Sequence, residues 1–533
     1  MKNKHPNFLI LFTDQQRHDT IKACGHQNMI TPNLDRLVKE GCYFENAYSP
    51  NPVCIPARHN LLTGLPAKHH GYYGNFSHPL NNVLPTLPRI LADNGYDTRA
   101  IGKMHFKPAR RHSGFNKMEL MEEIPEFRED DEYAMYLKDV GLENIQSIHG
   151  VRNLLYMLPQ RSLIPEEHHG STWVADRSVK YIKDNAGKRP FFLWSSWIAP
   201  HPPFDVPDSF ADLYNDVDIP ETLKSKTKLT PHASKSAIHC DLPKNKEKDY
   251  IKRIRQLYYS AISLVDKNIG RILKALEEAG ELDNTFIIFS SDHGEMLGDH
   301  GCFQKQLPYD SASKIPFLIR YPEKIKKDTT RSDFVDLNDI LPTVLDVAGI
   351  DYPGPQELPG GSVLRNDKDR SYQYIEHHQG INRWISIRDK EYKYNYYYGG
   401  GLEELFDMKN DPSESTNLLE KNPEKFLSQK NKLYNVLMEY EKKWGPENHV
   451  NGGVIINLQA PDYSTVKRNG QFPKFHHNLN DKSEKELMND FDQEVCQVVK
   501  NEPLVKLHEL DLKSWEQNGA SKKIIENIRN KSH

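Results

Sequence analysis

Cys54, Arg58 and Thr63 stand in one run, Cys-Ile-Pro-Ala-Arg-His-Asn-Leu-Leu-Thr-Gly, over residues 54–64. A cysteine by itself is most often a small buried hydrophobe, and a proline two positions later most often marks a turn. The other reactive side chains lie far away in the chain, in four groups: Asp14-Gln15, Lys103-Met-His105, His201 in Pro-His-Pro-Pro, and Asp292-His293-Gly294. Together these four groups offer two carboxylates, three imidazoles and a lysine. Carboxylates with imidazole and amide oxygen suit a divalent cation such as Ca²⁺, Mg²⁺ or Mn²⁺. Lysine and arginine supply a point charge and a forked donor to an anion. A sulfate or phosphate ester needs this pairing, because attack at sulfur or phosphorus moves negative charge onto the departing oxygen. Fixed positive charge and a proton donor then stabilise the transition state.

The elements that must position these residues are short apolar runs alternating with helical patterns, the signature of an α/β fold with a parallel sheet. Residues 7–12, 99–102, 191–197 and 285–290 read as strands, and each runs straight into one of the four polar groups. Ligands of open α/β sheets bind outside the carboxyl ends of the strands, so the four groups are expected to meet in one site. Residues 316–320 form a further strand. Residues 32–41, opened by Thr31-Pro32 and stopped by Gly41, residues 251–279 and residues 339–348 read as helices. Near 352–370 the composition turns to proline, glycine and charge, which places a boundary there. Beyond it, residues 384–398 carry the aromatic richness and Asp-Lys turn of an antiparallel hairpin. The tyrosines in this hairpin read as ordinary strand residues before they read as a stacking platform. The expected organisation is a catalytic domain over 1–355, a smaller antiparallel-sheet subdomain over 356–444 and an extension over 445–533 that covers the pocket or joins copies of the chain.

A balance of 70 basic against 74 acidic residues gives no global reason to expect nucleic acid as a partner. The six cysteines (24, 42, 54, 240, 302 and 496) show no CxxC spacing, which argues against a structural zinc site and a disulfide scaffold. The apolar run from Phe8 to Phe12 is too short for a signal-peptide core, and no stretch reaches transmembrane length. A cytoplasmic protein with no membrane partner is the expectation.

The run from Cys54 to Gly64 resembles the signature of type I sulfatases, the formylglycine-dependent members of the alkaline-phosphatase superfamily, and the resemblance extends over residues 5–440. It implies a large mostly parallel sheet sandwiched by helices, with a smaller antiparallel sheet at the C-terminus. It also implies that Cys54 is converted to formylglycine by a maturating enzyme and that Arg58 holds it. Asp14, Asp292 and His293 match metal-binding positions, with Gln15 and residue 54 itself completing the set. One divalent cation is implied, Ca²⁺ first, with Mn²⁺ and Mg²⁺ as alternatives. Gly-Lys-x-His at 102–105 makes Lys103 a sulfate ligand and His105 the residue that orients the nucleophile. His201 matches the leaving-group acid, Lys305 the second lysine, and Asn75 a sulfate contact. Glu295, Asp299 and His300 are read as structural or rim residues. Asp14-Gln15 stands where many sulfatases have two adjacent aspartates, which points to the choline-sulfatase-like and arylsulfatase-like bacterial branch.

Hydrolysis of a small sulfate ester to alcohol and inorganic sulfate follows as the expected reaction. The leading alternative is a phosphonate monoester or phosphodiester hydrolase with the same nucleophile, although such enzymes generally lack Gly-Lys-x-His. A two-metal phosphatase would use more His and Asp ligands where Lys305 now supplies charge. A non-catalytic anion-binding homologue would show gaps in the motifs, and here the positions are filled.

Overall fold

The computed structural model describes residues 5–75, 84–125, 127–152, 155–238, 247–365, 370–460, 462, 483–502, 504, 516 and 522–531. The first strand, β1 (Asn7–Asp14), is buried along its whole length. Phe8, Ile10 and Phe12 enter one apolar cluster, whereas Leu9 and Leu11 enter another on the opposite face. A strand covered on both sides reads as an unbroken apolar run, which is why residues 7–12 are so legible.

Seven more strands complete the main sheet: β2 (Cys42–Tyr48), β3 (Asp97–Gly102), β4 (Lys117–Leu120), β5 (Phe191–Pro200), β6 (Thr285–Ser291), β7 (Phe317–Arg320) and β8 (Thr329–Asp336). Their order is β8-β2-β7-β6-β1-β5-β3-β4. Only β7 runs antiparallel to its neighbours; the other pairings are parallel. Helices α1 (Pro32–Glu40), α3 (Gly170–Asn185) and the long α4 (Glu247–Glu278) cover one face, through residues such as Leu37, Trp173 and Ile269. Helices α2 (Cys54–Thr63) and α5 (Ile340–Ala348) cover the other, through Leu61, Leu62 and Leu341.

This order has a direct consequence for the site. The four strands that carry the polar groups, β6, β1, β5 and β3, are consecutive neighbours, all parallel. Asp292, Asp14, His201 and Lys103 therefore leave the sheet side by side at its carboxyl edge.

The hairpin expected over 384–398 is β10 (Trp384–Arg388) and β11 (Tyr392–Tyr397), which lie between β9 (Gln373–His377) and β12 (Leu402–Asp407) in a four-stranded antiparallel sheet. Leu433 and Leu437 of α6 (Leu427–Trp444) pack on Ile385, Ile387 and Tyr394. Tyr394, Tyr396 and Tyr398 are buried in that core, so they are packing residues and not a stacking platform. A buried ion network ties this sheet to the segment that leads into β7: Lys393 Nζ lies 2.9 Å from Asp310 Oδ1 and 2.8 Å from Glu414 Oε1, and Arg388 Nη1 lies 3.1 Å from Asp310 Oδ2.

From the C-terminal extension, α7 (Glu484–Asn501) packs Phe491, Val495 and Val498 onto Val151 and Leu155. Its Glu494 accepts hydrogen bonds from the backbone N–H groups of Gln146 (2.6 Å) and Ser147 (3.1 Å). The helix thus buttresses residues 146–151 and Leu155. Among the described residues no helix is long and apolar enough to cross a membrane. Cys24, Cys42, Cys54, Cys302 and Cys496 are free thiols, and Cys240 lies outside the described residues.

Gly102 closes β3 with φ 95°, and a Cβ there would stand 1.9 Å from the carbonyl oxygen of Ser196 on β5. Backbone cannot move aside as a flexible side chain can. Gly102→Ala is expected to cost about 2–4 kcal/mol of stability in denaturant unfolding, from left-handed strain plus this clash, and to misplace Lys103.

Candidate active site

The run from Cys54 to Gly64 is one helix with its cap. Cys54 opens α2, Pro56 falls in the first turn, where a missing N–H is tolerated, and Gly64 ends it in the left-handed region at φ 67° with its N–H on Asn60 O. The expected turn at Pro56 is therefore helical. All ten residues of α2 are buried, so the polar ones must be satisfied internally. Thr63 Oγ1 donates to His59 O (2.7 Å), and Asn60 Nδ2 donates to Leu65 O (2.8 Å). Asn75 Oδ1 accepts from the N–H of Ile55 at 3.0 Å, capping the helix beside residue 54. Cys54 and Arg58 are four residues apart and so share one face, the face turned to the sheet edge.

Arg58 is fully buried and spends its donors on that edge. Nη2 lies 3.1 Å from Asp14 Oδ2 and Nε 3.2 Å from Asp292 Oδ2. Nη1 donates to Lys103 O at 2.6 Å and Ser196 Oγ at 2.9 Å. Ligand atoms of Asp14, Cys54, Asp292 and His293 lie within 4.8 Å of one another. His293 Nδ1 donates to Gly294 O at 2.9 Å. This leaves the Nε2 lone pair 3.2 Å from Cys54 Sγ, 3.6 Å from Asp292 Oδ1 and 3.9 Å from Asp14 Oδ1.

The charges in this cluster are mutually dependent. Burial alone would raise the Asp14 carboxyl, but the charges of Lys103 and Arg58 outweigh it and hold Asp14 well below the usual range. Burial and the charge of Asp14 push Asp292 up to about 7. Burial, reinforced by Lys305, brings His293 down to about 3, so its ring is neutral. Two facing carboxylates and a neutral imidazole lone pair make a donor set that a divalent cation satisfies, with hard oxygens suiting Ca²⁺, Mg²⁺ or Mn²⁺. Burial, with Asp14 adding to it, raises the Cys54 thiol to about 12. At neutral pH it is a thiol, not the thiolate that attacks in cysteine enzymes.

Gln15 sits at the junction of two halves of the site, with φ 70°. Its N–H donates to Asp292 Oδ1 at 2.9 Å, its Nε2 bonds Glu295, and its Oε1 accepts from Lys305 Nζ at 2.5 Å. Lys305 Nζ is also 2.7 Å from His201 Nε2, and His201 Nδ1 donates to Pro202 O at 2.6 Å. Burial would lower Lys305, but the nearby carboxylates of Asp14 and Glu123 raise it, so it stays an ammonium. His201, lowered first by burial, stays neutral. The acidic proton at this end therefore belongs to Lys305, and His201 Nε2 accepts it. Asp299 anchors the loop before Lys305, bonded to Arg17 Nη1 and Arg255 Nη2 at 2.7 Å each.

A cavity of about 410 Å³ leads to residue 54, lined by Asn75, His105, Tyr156, His201, Gln304 and Lys305 among others. His105 and Gln304 hold positive φ values of 57° and 72°, and such strain concentrates at functional sites. The N–H groups of Met104 and His105 both donate to Glu122 Oε1, at 3.0 and 2.9 Å, which holds this turn. Sequence reading misses Tyr156, Gln304, Glu122 and Glu123. None stands in a recognisable motif, and β4, which leads to the glutamates, has only four residues.

A family model described as Sulfatase matches residues 6–350. The chain belongs to the sulfatase family. A second model, N-sulphoglucosamine sulphohydrolase C-terminal, matches residues 298–443 of this sulfatase. The sulfatase is 32% identical over 482 residues to an arylsulfatase of Clostridium perfringens, covering 87% of this chain and 99% of the relative. A protein solved in complex with its substrate D-glucosamine-2-N,6-O-disulfate superposes with TM-score 0.66 and 24% identity over 84% of this chain and 99% of that one. The phosphonate monoester hydrolase of Agrobacterium radiobacter gives TM-score 0.70 and 23% identity over 82% of this chain and 96% of that one. At these identities the two structures speak to the fold alone. The chain is an enzyme, a sulfuric ester hydrolase.

Removing Arg58 leaves two buried carboxylates without their shared partner. Arg58→Ala is expected to lose about 3–5 kcal/mol in denaturant unfolding, the cost of stranding buried charge.

Proposed function

We propose that this sulfatase hydrolyses a small sulfate ester with formylglycine, made from Cys54 by a maturating enzyme, and one divalent cation, Ca²⁺ foremost. One observation carries the reading: the candidate ligand atoms around residue 54, within 4.8 Å of one another, adjoin the Lys305–His201 pair at the inner end of the pocket. Asp14, Asp292 and His293 would hold the cation, with Gln15 and residue 54 at its side, and the cation would supply Lewis-acid charge to the nucleophile and the sulfate oxygens. Oxidised to formylglycine, residue 54 would carry a hydrated aldehyde: one hydroxyl attacks sulfur, and the second, on losing its proton, expels sulfate and restores the carbonyl, an exit that Ser or Cys lacks.

The other residues act around that centre. Arg58 fixes residue 54 relative to the two carboxylates. Lys103 and Lys305 offset charge on the sulfate group, with Asn75 as a further contact. His105 orients the nucleophile. Lys305 and His201, hydrogen-bonded across 2.7 Å, protonate the departing alcohol. A cavity of about 410 Å³ suits a small leaving group, such as an aryl, choline or single-sugar alcohol.

Peptide mass spectrometry across residue 54 from the natural host is expected to show the loss of mass that accompanies conversion of the thiol to an aldehyde. An intact thiol in active enzyme overturns the proposal. Cys54→Ala is expected to lower kcat by at least about 10³-fold, as loss of a covalent nucleophile does. Chelation is expected to abolish turnover, and Ca²⁺ to restore it best among Ca²⁺, Mn²⁺ and Mg²⁺. An aryl sulfate is expected to be turned over with higher kcat/KM than a phosphonate monoester; the reverse order favours the phosphonate reading.

A further inference from the structure

Glu123 follows β4 and lines the same cavity, with a side chain only 9% exposed. Its Oε2 accepts from Lys103 Nζ at 2.6 Å. Its Oε1 accepts from the Arg152 guanidinium and stands 3.7 Å from His201 Nδ1. Lys103 Nζ is also 2.6 Å from Asp14 Oδ2. A cation bound at Asp14 would draw on that carboxylate and leave Glu123 as the other carboxylate partner of the lysine. A carboxylate that lines an anion-binding pocket opposes the anion, so its presence calls for a reason.

The reason lies in the charges of substrate and product. A sulfate monoester carries one negative charge, and inorganic sulfate carries two. Arg58, Lys103, Lys305 and a divalent cation, acting by charge alone, would hold the product more tightly than the substrate. Binding energy of that kind slows release without helping the chemical step. A fixed negative charge beside Lys103 weakens the attraction of a dianion about twice as much as that of a monoanion. Arg152 keeps the Glu123 carboxylate in place, and its ring-stacked position over Tyr156, 4.8 Å from guanidinium carbon to ring centre, keeps Arg152 in place in turn.

We propose that Glu123 is a positioning residue that orients Lys103 and tempers its charge, so that inorganic sulfate leaves after each turnover. The inference rests on the proposed function, in which Lys103 faces the sulfate group. Glu123→Gln keeps the shape and an oxygen to accept from Lys103 but removes the charge. Glu123→Asp keeps the charge but draws it back by one methylene.

Inorganic sulfate binding to the metal-loaded enzymes, measured by titration calorimetry, is expected to tighten in the order wild type, Asp, Gln, by about tenfold overall, as removal of one nearby charge dictates. Product inhibition should tighten in parallel. KM for an aryl sulfate should fall by a smaller factor, and kcat should fall with it. A residue that merely supports the fold would weaken sulfate binding when altered, so a flat or reversed series in an active enzyme overturns the role of Glu123. Should the Gln protein not fold, wild type against Asp decides the sign. Absence of sulfate-ester turnover in the wild type strikes the proposed function instead.

Discussion

The site depends on one buried guanidinium. Arg58 joins helix α2 to the edge of the sheet through two carboxylates, a backbone carbonyl and a serine hydroxyl. Burying so much charge is costly unless every partner is present, and here the partners arise from four separate elements. The arrangement is therefore all-or-none: the helix that presents residue 54 is seated only when β1, β3, β5 and β6 are in register. Ions that add little net stability still specify one geometry, and a catalytic edge needs that specificity.

Charge balance gives the site a second layer of organisation. Asp14 and Asp292 face each other, and burial with the charge of Asp14 raises Asp292, a repulsion that positive charge between them relieves. Lys103 leans on carboxylates, while Lys305 leans on an amide oxygen and an imidazole. The two lysines, alike in the sequence, thus occupy different electrostatic settings. One is a restrained charge beside acids. The other holds a proton that a neighbouring imidazole is ready to share.

Much of this organisation is legible in the amino-acid sequence alone. Strand β1 stands out because both its faces are buried, and the four polar groups stand out because each follows such a strand. Helix α2 does not read as a helix. Its burial on every side erases the 3.6-residue period, and its polar residues are satisfied inside the protein rather than by water. Strand β2, Cys-Tyr-Phe-Glu-Asn-Ala-Tyr, and edge strand β8 escape notice because mixed polarity hides them. Asn75 has a role that its place after a glycine does not show: its side-chain oxygen caps Ile55. Glu123 carries no signal at all, since only the third dimension brings it to Lys103.

Cys54 is 1% exposed, in the lining of a pocket that Lys305 shares. If this residue must be oxidised by another enzyme, the folded chain offers that enzyme no grip on it. Conversion then competes in time with burial: a chain that folds first keeps its thiol for good, and a chain that is reached first carries the aldehyde for its lifetime. The amount of working enzyme is decided during synthesis, as a ratio of two rates, and no later adjustment of substrate or metal can recover the molecules that lost that race.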